Sequence, residues 1–215
     1  MNLKHEDDVS DGVAQALVAC PLVAILRGIT PAEAVEVGLA LHGAGIGVIE
    51  VPLNSPQPLV SIRLLADALK GKAIVGAGTV LRERDVDAVA AAGAQLVLSP
   101  NFKAPVVRCT KAHGLYSMPG VATPSEGFDA LDEGADALKL FPGELLGPAV
   151  IKAWRAVFAR TTPMFSVGGV SLDNLPAFKA AGASGAGIGS ALYTPGRSAT
   201  DTAHRAREFI TRWHG

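Results

Sequence analysis

The sequence predicts an α/β fold, a (β/α)8 TIM barrel with an additional N-terminal helix. Three observations predict it: eight short apolar runs, helix-forming segments between them, and polar residues gathered at the runs' carboxyl ends. The runs occupy residues 22–27, 48–53, 73–79, 95–99, 115–119, 137–141, 164–167 and 184–189, spaced by roughly 20–28 residues. Strands alternating with helices at this spacing make a parallel sheet with crossover helices. An open doubly wound sheet would alternate in the same way. The count of eight, and reactive residues at so many strand ends, favour the closed barrel.

Taken in order, residues 9–19 read as a helix that could close the bottom of the barrel. Segment 31–42 follows Thr30 as N-cap, with Pro31 at the first helical position. Segment 83–92 runs into Gly93, and segment 171–181 into Gly182, each a natural helix stop. Three helices thus end on a Gly-Ala or Ala-Gly pair before the next strand: Ala44-Gly45, Ala92-Gly93-Ala94 and Ala181-Gly182-Ala183. No linker or low-complexity tract interrupts the pattern, so residues 1–215 read as one domain. Barrels of this type typically take about 250 residues, which leaves little room for decoration.

Composition narrows the function. Aromatic residues make up 5% of the chain, the formal net charge is −1, and no Lys/Arg block stands out. These features argue against a nucleic-acid partner or an anionic membrane surface. No apolar run approaches the about 18 residues of a transmembrane helix. Residues 1–8 are too acidic for a signal or transit peptide, and a cytoplasmic location is expected. The two cysteines, Cys20 and Cys109, stand at neither metal-finger nor CxxC spacing and read as reduced thiols.

Catalysis in such a barrel belongs at the C-terminal ends of the strands. In DALKLFP (136–142), alternation turns Ala137, Lys139 and Phe141 inward and Leu138 and Leu140 outward. Burial disfavours the charged form of a lysine, and a neutral amine can attack a ketone. The plainer alternative is a lysine whose stem is buried while its head reaches solvent or a carboxylate. Glu50 points inward from the second strand, either as a structural ion-pair partner of Lys139 or as the proton carrier that imine chemistry needs. Both readings expect the two groups within hydrogen-bond reach, directly or through one water.

Arg27 closes the first strand, where it could hold a carboxylate or phosphate, or be a simple surface charge. Thr79 offers a hydroxyl in GAGTV (76–80), which lacks the third glycine of a Rossmann fingerprint. Gly168-Gly169 follows the seventh strand and Gly189-Ser190 the eighth, the two places where barrels commonly bind phosphate. Plain tight turns would look similar. The five histidines form no ligand set at strand ends, so no catalytic metal is expected.

The motifs AILRGITP (24–31), IEVPLNSP (49–56), GAGTV (76–80), LSPN (98–101), PG (119–120), LKLFP (138–142), SVGGV (166–170) and GIGS (187–190) appear in one order. In that order the chain resembles the 2-keto-3-deoxy-6-phosphogluconate and 2-keto-3-deoxy-6-phosphogalactonate aldolases from about Pro21 to Tyr193. The resemblance implies a cofactor-free class I aldolase, typically a homotrimer, that acts on a phosphorylated 2-keto acid. It puts the Schiff-base lysine on Lys139 and the general acid/base on Glu50. Keto-acid contacts fall on Thr79, Pro100 and Phe141, phosphate contacts on Gly168, Gly169, Gly189 and Ser190, and a further ligand contact on Arg27. Gluconate enzymes typically read VTLRT after the Glu and carry Thr before the Gly-Gly pair. Here VPLNS and Val167 stand in those places, as in the galactonate branch. The expected activity is therefore cleavage of the galactonate substrate. The gluconate epimer, a metal-free phosphosugar isomerase or epimerase, and a non-catalytic binding barrel are the alternatives.

Overall fold

The computed structural model describes residues 9–215; the expectation about a leader rests on residues 1–8 and lies outside them. Helix α1 (Val9–Ala19) precedes β1 (Leu22–Ile25), α2 (Pro31–Gly43), β2 (Val48–Pro52), α3 (Pro58–Ala68) and β3 (Ile74–Gly78). Then come α4 (Glu83–Ala91), β4 (Leu96–Leu98), α5 (Ala104–Ala112), β5 (Tyr116–Met118), β6 (Gly120–Val121) and α6 (Pro124–Asp132). The chain ends with β7 (Leu138–Leu140), α7 (Gly143–Trp154), β8 (Met164–Val167), α8 (Leu175–Ala180), β9 (Gly185–Ile188) and α9 (Ala199–His214).

All strand pairs are parallel, in the order β5-β4-β3-β2-β1-β9-β8-β7-β6. The two ends of that order, β5 and β6, are consecutive in the chain and parted only by Pro119. The expected fifth strand is thus present in two pieces, because proline has no N–H to give the ladder. Carbonyls still bridge the interruption: Ser99 N–H donates to Met118 O at 3.4 Å, and Lys139 N–H donates to Pro119 O at 2.9 Å. The sheet closes as a TIM barrel.

Alternation sorts the side chains as expected. Val23, Val48, Leu96, Leu98, Tyr116, Met118, Ala137 and Phe165 fill the barrel, and Val13 and Leu17 of α1 pack against them as a plug. Leu22, Ala24, Ile49, Val51, Leu138 and Leu140 face outward into the layer shared with the helices. Each of the leucine, isoleucine and valine side chains among them, fully buried, contributes about 1.5–3 kcal/mol. This packing holds the inward positions just above it, Glu50 and Lys139, at fixed heights.

The helix boundaries follow their caps. The Glu33 carboxylate accepts from Thr30 Oγ1 at 2.6 Å and from Thr30 N–H at 3.3 Å, fixing the start of α2. Gly93 and Gly182 adopt φ of 93° and 99° after α4 and α8. Helix α8 begins later than its sequence pattern suggests. Ser171 N–H donates to Asn174 Oδ1 at 2.8 Å, so residues 171–174 form a side-chain-closed turn instead. Among the described residues, no helix is long and apolar enough to cross a membrane.

Candidate active site

One cleft of about 300 Å³ opens at the carboxyl ends of the strands, and all eleven residues singled out in the sequence line it. They are Arg27, Glu50, Thr79, Pro100, Lys139, Phe141, Val167, Gly168, Gly169, Gly189 and Ser190. The cleft is near the lower size limit for small-molecule sites, which suits a compact phosphorylated acid.

Lys139 sits on β7 and Glu50 on β2. Counting β5 and β6 as one strand, β2 and β7 lie four strands apart in either direction round the barrel. The amine and the carboxylate therefore face each other across the lumen. Both are buried, at 5% and 2% exposure. No ion pair joins them, and Glu50 Oε2 has no hydrogen-bond partner among the described residues. Of the two contacts expected from sequence, direct or through one water, the direct one is not made; the two stems rise from opposed strands. The arrangement leaves space between the groups for a reacting carbon and a water.

Electrostatics follow from burial. Loss of hydration pushes the Glu50 carboxyl up to about 7, against the lowering pull of Lys139 and Arg27. Loss of hydration pushes the Lys139 ammonium down; Glu50 opposes that shift and Arg27 adds to it. The Phe141 ring lies 4.9 Å from Lys139 Nζ and helps keep water from it. A readily deprotonated amine thus faces an acid able to exist in both forms near neutrality.

Gly78 makes room for that acid. In the β2–β3 register Glu50 is level with Gly76, yet its carboxylate reaches up to Gly78. A Cβ at position 78 would overlap the Glu50 carboxylate. The need for this glycine appears only once Glu50 is known to lean along the barrel. The next residue, Thr79, has φ 58°, in the left-handed region that a β-branched side chain rarely occupies. Such a conformation costs on the order of 1–3 kcal/mol and persists where its surroundings hold it.

The opposite wall carries the glycine turns. Gly168 and Gly169 take φ of 103° and 65°, with Glu144 packed against them where side chains would otherwise sit. Asn174 Nδ2 donates to Gly169 O at 2.8 Å and pins the turn. After β9, Leu192 and Tyr193 N–H donate to Gly189 O at 2.9 and 3.0 Å, closing a helical turn. The first N–H groups of such a turn have no partner within it and suit an anion.

Arg27 Nη1 donates to Asn54 Oδ1 at 2.6 Å, and Gly28 N–H donates to Ser55 Oγ at 3.0 Å. Asn54 entered the sequence analysis as a branch marker alone. Its role as the group that orients Arg27 needed the fold, since the two stand 27 residues apart. Ile25, Val170, Gly187 and Ala191 also line the cleft and were not anticipated; only their place on strand ends could have suggested them.

Comparison with known proteins places the chain in a family. Residues 13–204 match the family described as KDPG and KHG aldolase. The chain is 47% identical over 190 residues to the 2-dehydro-3-deoxy-6-phosphogalactonate aldolase of Escherichia coli (strain K12), covering 88% of this chain and 93% of that one. It is 34% identical to the 2-dehydro-3-deoxy-phosphogluconate aldolase of Dickeya dadantii (strain 3937), covering 74% and 75%. A solved structure described as native KDPGal superposes with a TM-score of 0.88 at 46% identity, covering 90% of this chain and 94% of the other. Sequence and fold together thus identify a carbon–carbon lyase barrel: the chain belongs to the KDPG and KHG aldolase family.

Proposed function

We propose that the protein is a class I aldolase that cleaves 2-dehydro-3-deoxy-6-phospho-D-galactonate to pyruvate and D-glyceraldehyde 3-phosphate. The observation that carries the reading is the opposed pair: a buried Lys139 amine facing a buried Glu50 carboxyl across a small cleft, with no ion pair between them. A structural salt bridge would close that gap. A Schiff-base site needs it open.

In the proposed cycle, neutral Lys139 adds to C2 of the keto acid. Glu50 protonates the carbinolamine oxygen, water leaves, and a protonated imine remains. The Glu50 carboxylate takes the proton of the C4 hydroxyl, the C3–C4 bond breaks, and its electron pair flows into the imine. The aldehyde departs, leaving an enamine. Glu50 then delivers a proton to C3, and hydrolysis of the imine releases pyruvate and regenerates the amine. Arg27, Thr79, Pro100 and Phe141 would orient the keto acid, while the Gly168-Gly169 and Gly189-Ser190 turns would hold the phosphate. No cofactor takes part in these steps.

Selectivity between C4 epimers is proposed to rest on Val167, an apolar wall without a hydroxyl, and on the Asn54–Arg27 contact. A buried hydrogen bond gained or lost can decide between close analogues. We further propose a homotrimer acting in the cytoplasm. The exposed apolar residues Leu59 and Leu81, which share one groove beside the cleft, support self-association. The test of the function compares pyruvate release from the two purified C4 epimers. Higher kcat/KM for the galactonate substrate is expected; equal or higher kcat/KM for the gluconate substrate would overturn the assignment.

A further inference from the structure

Outside the barrel, helices α4 and α5 bring together a carboxylate, a thiol and an imidazole for which the aldol chemistry has no use. Cys109 and His113 stand four residues apart, so they project from one side of α5 and its C-terminal turn. Asp87 faces them from α4. His113 Nε2 lies 2.8 Å from Asp87 Oδ1, and Cys109 Sγ lies 3.8 Å from the same oxygen. All three ligand atoms fall within 4.8 Å of one another.

Tetrahedral zinc, with Zn–S of about 2.3 Å and Zn–N of about 2.0–2.1 Å, needs ligand atoms about 3.3–3.6 Å apart. The Asp87–His113 and Asp87–Cys109 separations, 2.8 and 3.8 Å, bracket that value, and all three side chains are at least partly exposed and free to rotate round one ion. An ordinary surface ion pair would account for Asp87 and His113; among the described residues the thiol beside them has only two long contacts, 3.8 Å to Asp87 Oδ1 and 3.8 Å to Glu83 O. A thiol is a weak donor and gains little from a carboxylate. Burial and the neighbouring Asp87 and Glu83 carboxylates push the Cys109 thiol up.

We propose that Asp87, Cys109 and His113 form a surface site for one zinc-like divalent cation, with water in the fourth position. Thiolate and imidazole select such an ion over magnesium or calcium. The site would tie α4 to α5. None of its residues lines the catalytic cleft, so its role is structural and independent of the aldolase reading. Sequence spacing concealed it because the carboxylate comes from a different helix.

The test uses full-length protein stripped with a chelator and titrated with Zn2+ against a chromophoric competitor, and separately with Co2+. One equivalent per chain is expected, with a thiolate-to-cobalt charge-transfer band in the near ultraviolet. Cys109→Ser should abolish that band. His113→Ala and Asp87→Ala should each weaken zinc binding by more than the roughly 10–100-fold typical of losing an outer-sphere partner. All three variants should keep the wild-type circular dichroism spectrum. Absence of stoichiometric binding by the wild type would overturn the proposal. So would wild-type binding by Cys109→Ser or His113→Ala.

Discussion

At the scale of single residues, the central fact is that Glu50 and Lys139 are buried where their charges are poorly solvated. The sign of the pH dependence follows. Burial raises the Glu50 pKa from an ordinary carboxyl value to about 7 in the folded chain. Its favourable contribution is therefore fully present below about pH 4.5 and is lost as the pH rises through 7. Glu50→Gln removes this cost, and a thermal melt at pH 8 should show a higher Tm than wild type. Near pH 4 the two should melt alike. The ceiling on the gain is about 3 kcal/mol, with the attraction to Lys139 already contained in that shift. Turnover should fall about 10²–10⁴-fold in the same variant, the usual worth of a positioned acid–base group. Unchanged kinetics would remove Glu50 from the mechanism. The inward direction of both residues was legible in sequence, because alternation in VIEVP and in DALKLFP leaves no other choice. Their separation was not, since it depends on which strands oppose each other.

At the scale of elements, the strand ends act through their neighbours. Strand β3 supplies a gap at Gly78 into which the β2 carboxylate leans, then turns sharply at Thr79. Gly78→Ala should displace the Glu50 carboxylate and lower kcat at least about 10²-fold, approaching the loss in Glu50→Gln. A steady-state assay with a circular dichroism check measures this; wild-type kcat in a folded Gly78→Ala protein would show that Glu50 needs no such space. The glycine turns after β8 and β9 were readable from position and composition. Neither Thr79's left-handed φ nor the Arg27–Asn54 contact could be read, as both arise from tertiary packing. The break of the fifth strand at Pro119 was written in the sequence as a proline, but the barrel's survival there rests on carbonyls that still accept from both sides.

At the scale of the whole molecule, closure through an interrupted strand and the α1 plug puts a packed floor beneath the cleft. The eightfold alternation made this architecture legible before any coordinates, and the cap at Thr30 and the stop at Gly93 placed α2 and α4 within a residue. Association between copies was not legible, because an interface has no period in the sequence. The proposed trimer should elute with a light-scattering mass three times the 22.0 kDa of the chain; a monomeric mass would remove it. The most direct test of the account is reduction with borohydride in the presence of pyruvate, followed by peptide mass spectrometry. One reduced pyruvyl adduct per chain is expected, located on Lys139, and none in Lys139→Met. Retention of aldolase activity by Lys139→Met, or an adduct confined to another lysine, would contradict it.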